Sequence, residues 1–174
     1  MVLKKKFFSV DLPFLNVSVS ILAYSQQELV GKIIKYDLTR ILRGKNVEAT
    51  LVIKKENEKL IAEFKSLCFL QSYLTQAVGK GISYVEDSFV CKSKDASLRI
   101  KPFMLTRKKV HRRVKKALRV KAREFIEEFA AQHNSSEIFD AIIKARLQKE
   151  LSAKLKKIYP LSLCEIRVIK KEKE

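Results

Sequence analysis

Hydrophobic positions along this chain recur with two different periods, and the change falls near Pro102. Upstream, β-branched and aromatic residues gather in short runs: Val17 to Ala23, Leu29 to Tyr36, Val47 to Ile53, Lys59 to Leu70, Ile82 to Cys91 and Ser97 to Met104. Charged or turn-forming residues separate most of them, the pattern of strands. Leu60, Ala62 and Phe64 alternate with Ile61, Glu63 and Lys65, which predicts a strand with one buried face. Lys54-Lys55-Glu56-Asn57-Glu58 predicts a hairpin tip, with Asn57 tolerant of left-handed backbone, and Lys92 to Asp95 a second polar tip. Gln71 to Val78 predicts a short helix that stops at Gly79 or Gly81.

Beyond Pro102 the period lengthens to that of a helix. A helix is predicted from about Thr106 to Ala131, with Thr106 as its N-cap. Val110, Val114, Ala117, Leu118 and Phe125 form its apolar stripe and Phe129 continues it, while Lys108, Arg112, Lys115, Lys116, Arg119 and Arg123 project from the opposite side. Asn134-Ser135-Ser136-Glu137 reads as a break followed by a new N-cap with Glu137 at N3. Ile138, Ile142 and Ala145 mark the next helix, and Leu147, Leu151, Leu155 and Ile158 carry the spacing to Pro160; Arg146 either opens a separate helix or extends the same one. A last strand, Leu163 to Ile169, is expected to return to the sheet, ahead of a charged, frayed stretch from Lys170 to Glu174. The fold class is therefore α+β. Residues 1–104 form a small, curled, mostly antiparallel sheet or barrel, and residues 105–174 add a long basic helix, one or two further helices and a returning strand on the same core.

Composition changes the picture through charge. The 174 residues carry 37 basic and 19 acidic side chains, a formal net charge of +18, which favours nucleic acid, anionic lipid or an acidic protein as partner. The 47% hydrophobic content supplies a core and excludes whole-chain disorder. Between Thr106 and Arg123 ten of eighteen residues are Lys or Arg and none is acidic. Like charges one turn apart repel. A polyanion relieves that repulsion and gains entropy from released counterions. Arg107, Lys108, Lys109, His111, Arg112, Arg113, Lys115, Lys116, Arg119, Lys121 and Arg123 are accordingly the candidate RNA-binding residues. Their order opposes the helix dipole, with cations crowding the first turns and Glu124, Glu127 and Glu128 lying late, and a phosphate partner accounts for that order where local helix energetics do not.

Little else in the chain points to chemistry. Cys68, Cys91 and Cys164 are far apart with apolar neighbours and are expected to be buried reduced thiols; with only His111 and His133 besides, no metal site is expected. Gly79-Lys80-Gly81 is too short for a phosphate loop, and adjacent Glu127 and Glu128 point in different directions on a helix, so no catalytic residue and no cofactor is assigned. Tyr73, Tyr84 and Tyr159 would stack on bases only if exposed. Lys4 to Lys6 followed by Phe7 and Phe8 imitates a signal peptide, but Asp11, Pro13 and Asn16 interrupt the apolar run, giving the expectation of a mature cytoplasmic N-terminus without a membrane span.

Three stretches resemble the archaeal and eukaryotic ribosomal protein family called S-three-Ae, or eS-one. Leu29-Val30-Gly31-Lys32-Ile33-Ile34-Lys35-Tyr36-Asp37-Leu38 is similar to its Leu-x-Gly-Arg strand entry. The basic helix from Thr106 is similar to its Arg/Lys-rich central helix, and Ile158-Tyr159-Pro160-Leu161 followed by Glu165-Ile166-Arg167 to its C-terminal Ile-Tyr-Pro-Leu strand entry. Departures fall at Leu70-Gln71-Ser72-Tyr73, where the family often has Asp-Leu-Thr-Arg-Asp, at Asp95-Ala96 in place of an Asp-Gly turn, and at Val168 where Lys is common. The compact length is that of archaeal members. The resemblance implies a non-catalytic component of the small ribosomal subunit on its platform, near the 3′ end of the small-subunit rRNA and the mRNA exit. Its implied partners are that rRNA, neighbouring platform proteins and mRNA near the exit, with no membrane and no small-molecule substrate. The residues by themselves stop at a basic α+β protein that binds structured RNA, whether built into a ribosome or free-standing as a regulator.

Overall fold

The computed structural model describes residues 4–42, 44–56 and 59–172. Strands β1 (Lys6–Leu12) and β2 (Val17–Ala23) form an antiparallel ribbon in unbroken register. A short helix α1 (Gln26–Leu29) leads to β3 (Ile33–Asp37), and β4 (Val47–Glu56) with β5 (Lys59–Phe69) makes the longest hairpin. Helix α2 (Gln71–Ala77) precedes β6 (Tyr84–Glu86), β7 (Phe89–Lys92) and β8 (Ser97–Thr106). Helices α3 (Arg112–Gln132), α4 (Ser135–Ile143) and α5 (Arg146–Leu155) then lead to β9 (Leu161–Lys171).

All nine strands join one sheet in the order β2-β1-β5-β9-β8-β6, with β4 on β5, β3 on β4, and β7 on β8. Every pairing is antiparallel except the contact of β1 with β5 at Asp11 and Ile61. Pro102 is tolerated within β8 because the register shifts between Lys101 and Pro102, where the missing N–H is absorbed. Helix α3 buries Leu118, Ala122, Phe125, Ile126 and Ala130, α4 brings Phe139 to stack on Phe64 of β5 at 5.1 Å, and α5 packs on β9. Strand and helix residues share one buried cluster.

Several boundaries differ from the sequence pattern. Lys6–Leu12, absent from the predicted runs, is a strand whose Phe8, Val10 and Leu12 alternate inward. The run Leu29 to Tyr36 breaks at Gly31 (φ 83°), whose N–H donates to the Ile53 carbonyl at 2.8 Å, so α1 ends before β3 begins. The run Ile82 to Cys91 is cut by a turn in which the Asp87 carboxylate accepts from the Ser88 N–H at 2.9 Å. Between Glu137 and Tyr159 there are two helices, divided at Ala145 in left-handed backbone (φ 55°). Asn57 and Glu58 of the expected hairpin tip lie outside the described residues. Buried Cys91 fits the expectation of a buried thiol and Cys164 is half-buried, but Cys68 is exposed because its place on β5 faces away from the core.

Candidate nucleic-acid interface

The largest correction concerns Thr106. It does not cap a helix; it is the fully buried last residue of β8. Its Oγ1 lies 3.0 Å from the Ser83 carbonyl and 2.7 Å from the Lys108 carbonyl, and accepts from the Ser83 N–H at 3.1 Å. The Val110 N–H donates to Ser83 Oγ at 3.3 Å. Five residues thus connect β8 to α3 as a loop pinned at both ends by Ser83 and Thr106. Arg107, Lys108, Lys109 and His111 are exposed on that loop, while Val110 is half-buried.

Helix α3 starts at Arg112, with His111 in extended backbone at the N-cap and contributing no side-chain bond. Its first turn holds no acidic residue. The bare N–H groups and positive dipole end therefore stand beside Arg112, Arg113, Lys115 and Lys116, of which Lys115 is half-buried and the others exposed. A helix N-terminus of this kind favours an anion, and its own cations oppose the dipole until one arrives.

The second half of the basic stretch behaves differently. Arg119 and Arg123 do not project away from the docked face but flank it. Arg119 Nε donates to the Glu86 carbonyl at 3.0 Å. Arg123 lies 5.0 Å over the Phe89 ring and 3.5 Å from the Asp87 carboxylate. Lys121 pairs with Glu124 at 3.0 Å. Ala117, expected on the apolar stripe, is exposed next to exposed Val120, because the docked stripe is set by Leu118, Ala122 and Phe125 one position round the helix. The structure therefore brings Arg107 through Lys116 together as a free cationic segment and spends Arg119 and Arg123 on holding α3 to β6 and β7. No local sequence signal marked that anchorage, since its acceptors Glu86 and Asp87 lie on a distant stretch of the chain. Charge reading along the chain also misses Lys45, Lys144 and Lys149, scattered in sequence but gathered at one opening beside the α4–α5 junction.

Other groups are quiet. Among the described residues no cluster of three His, Cys, Asp or Glu could hold a metal, and no helix is long and apolar enough to cross a membrane. Burial pushes the Cys91 thiol up to about 11, helped by the charge of Glu127, and the Cys164 thiol up to about 12, helped by Glu165. The His133 ring lies tilted against Phe129 at 4.3 Å and its Nδ1 lies 3.1 Å from Glu137, leaving it a helix-junction residue.

The sequence profile of the Ribosomal S3Ae family matches residues 2–174. The chain belongs to the Ribosomal S3Ae family. Relatives carrying the name small ribosomal subunit protein eS1 include one from Saccharolobus islandicus, 29% identical over 174 residues, covering 95% of this chain and 84% of its own. A relative of the same name from Saccharolobus solfataricus has the same identity and coverage. One from Nanoarchaeum equitans is 25% identical over 150 residues, covering 83% of this chain and 76% of its own. An S3Ae member with an α+β fold and a 21-residue basic helix accounts for the resemblance seen in the three sequence stretches.

Proposed function

We propose that this S3Ae chain is a structural component of the small ribosomal subunit, and that the segment from Arg107 to Lys116 lies along rRNA phosphates. One observation carries the contact assignment. Arg107, Lys108, Lys109, Arg112, Arg113, Lys115 and Lys116 have no ion-pair partner among the described residues, whereas Lys121 and Arg123, later on the same helix, do. A polyanion relieves the repulsion within that segment and gains entropy from released counterions. Phosphate contacts fix position and carry little sequence information, so the β-sheet and the α4–α5 pair supply shape complementarity. The family resemblance extends this to the platform near the rRNA 3′ end and the mRNA exit, in the cytoplasm.

With roughly 6–10 phosphates engaged, affinity for rRNA falls by about 10³–10⁵ between 50 and 200 mM salt. Replacing Arg112, Arg113 and Lys116 together by Glu abolishes most of that affinity and flattens the salt dependence. Unchanged binding in a filter or fluorescence titration would falsify the contact assignment. Sedimentation of subunits through high salt tests integration, because a loosely bound regulator washes off and a structural component stays.

A further inference from the structure

The opening beside the α4–α5 junction is a cavity of about 440 Å³ that the basic segment does not touch. Its walls are aliphatic and aromatic, with Leu42, Phe69, Ile142 and Ile166 among them. Two polar groups interrupt them. Glu165, 4% exposed, is paired with Lys45 through Oε1. Gln148, 6% exposed, donates through Nε2 to the Ile142 carbonyl at 3.0 Å, while its Oε1 has no hydrogen-bond partner among the described residues. A buried amide oxygen without a donor is rare and costs stability. Glu165 Oε2 is also lightly engaged, with only Gln148 Nε2 near it at 3.5 Å. This wall is short of donors.

The rim has the opposite character. Ala145, at the N-cap of α5, has left-handed backbone and gives no side-chain bond to the helix behind it, so the first-turn N–H groups of a ten-residue helix are bare. No acidic residue sits in that turn, and Lys149 and Lys144 line the same opening. Bare N–H groups, the helix dipole and lysines together suit a phosphate. A cationic side chain, the other ligand that an acceptor-lined wall attracts, is opposed by Lys45, Lys144 and Lys149.

We infer that this cavity receives one unpaired, extruded nucleotide of bound RNA, its phosphate at the N-terminus of α5 and its base between the apolar walls, facing Gln148 and Glu165. Unstacked bases of loops and bulges are the parts of RNA that proteins read in this manner. Two adjacent acceptors call for two adjacent donors, and guanine, with N1–H beside its N2 amino group, is the base that offers them. The inference rests on the RNA-binding reading and adds to it a sequence-sensitive contact that the phosphate-directed segment lacks.

The test uses the full chain and a set of RNA hairpins that differ in one position: a single bulged G, A, C or U, or no bulge. The bulged-G hairpin is expected to bind about tenfold tighter than the fully paired one, the gain of one two-point base contact. Gln148→Met and Ile142→Trp, the second filling the cavity, are expected to erase that preference, read in each variant as the ratio of bulged-G to fully paired affinity. Lys149→Glu, a surface change that does not threaten folding, is expected to reduce the preference as well. Equal binding of all hairpins with a steep salt dependence overturns the pocket while sparing the RNA reading; failure to bind any hairpin overturns both. A preference that survives both Ile142→Trp and Lys149→Glu, or binding of hexa-arginine lost in Ile142→Trp, also overturns it.

Discussion

Neighbouring cations on one helix have different work here, and single substitutions separate them. Arg123 covers the Phe89 ring and faces Asp87, so Arg123→Ala is expected to cost about 1 kcal/mol in urea unfolding, the sum of an exposed cation–π contact and a weak ion pair. Lys116 is exposed and has no ion-pair partner among the described residues, so Lys116→Ala should leave stability within about 0.5 kcal/mol and lower the salt slope of RNA binding by about one. The cysteines separate in the same manner. The Cys68 thiol is exposed, while those of Cys91 and Cys164 are shielded and titrate only near 11 and 12. At about pH 8 a disulfide reagent should label one thiol per native chain, and all three after unfolding, since the thiolate is the nucleophile. Residue identity alone showed which side chains were cationic. It did not show which were already occupied, because the acceptors Glu86 and Asp87 lie more than thirty positions upstream of Arg119 and Arg123.

Elements were legible where periodicity was strong and their ends where capping was local. Asn134 and Glu137 announced the start of α4, and the Glu137 carboxylate does accept from the Asn134 N–H at 3.1 Å. The start of α3 was misread because Thr106 has the chemistry of an N-cap, yet its hydroxyl is held by Ser83, 23 residues earlier. The break at Ala145 was equally hidden, since alanine does not signal left-handed backbone. Asp95 illustrates a cap supplied from afar: in the loop between β7 and β8 it accepts from the Ser135 N–H at 2.6 Å, at the first turn of α4. Burial pushes the Asp95 carboxyl up, but bonds from Ser135 and Ser93 outweigh this and hold it below the ordinary value. The Glu137 carboxyl is likewise lowered, by the Asn134 N–H and then by His133. Carboxyls lowered in the folded state stabilise it above their unfolded values and cease to do so as pH falls through the folded ones. Their contribution to stability should therefore be level at neutral pH, decline as the pH enters the carboxylate range and be gone below the lowered values. Asp95→Ala, costing about 1 kcal/mol at neutral pH, should show a shallower acid decline in denaturant titrations.

At the scale of the whole molecule, the fold class was readable from the change of hydrophobic period, and the net charge of +18 is what supports the proposal of a polyanionic partner. Sheet order was not, because pairing between strands distant in sequence leaves no trace in periodicity. The cavity at the α4–α5 junction was unreadable for the same reason: Lys45 and Glu165 meet across 120 positions. The order that results places β9 between β5 and β8, with antiparallel ladders on both sides. A chain ended at Pro160 would leave each neighbour with the edge that faces β9 unpaired, and Ile166 and Ile169 missing from the core. It should lack the cooperative thermal transition of the intact chain, followed by circular dichroism.

That central position has a bearing on how the protein is made. Eight strands and the basic segment are synthesised before their keystone is, so a chain that has not yet reached residue 161 presents two open edges and an unfinished hydrophobic seam. Closure of the sheet between β5 and β8 therefore waits for residues 161–171.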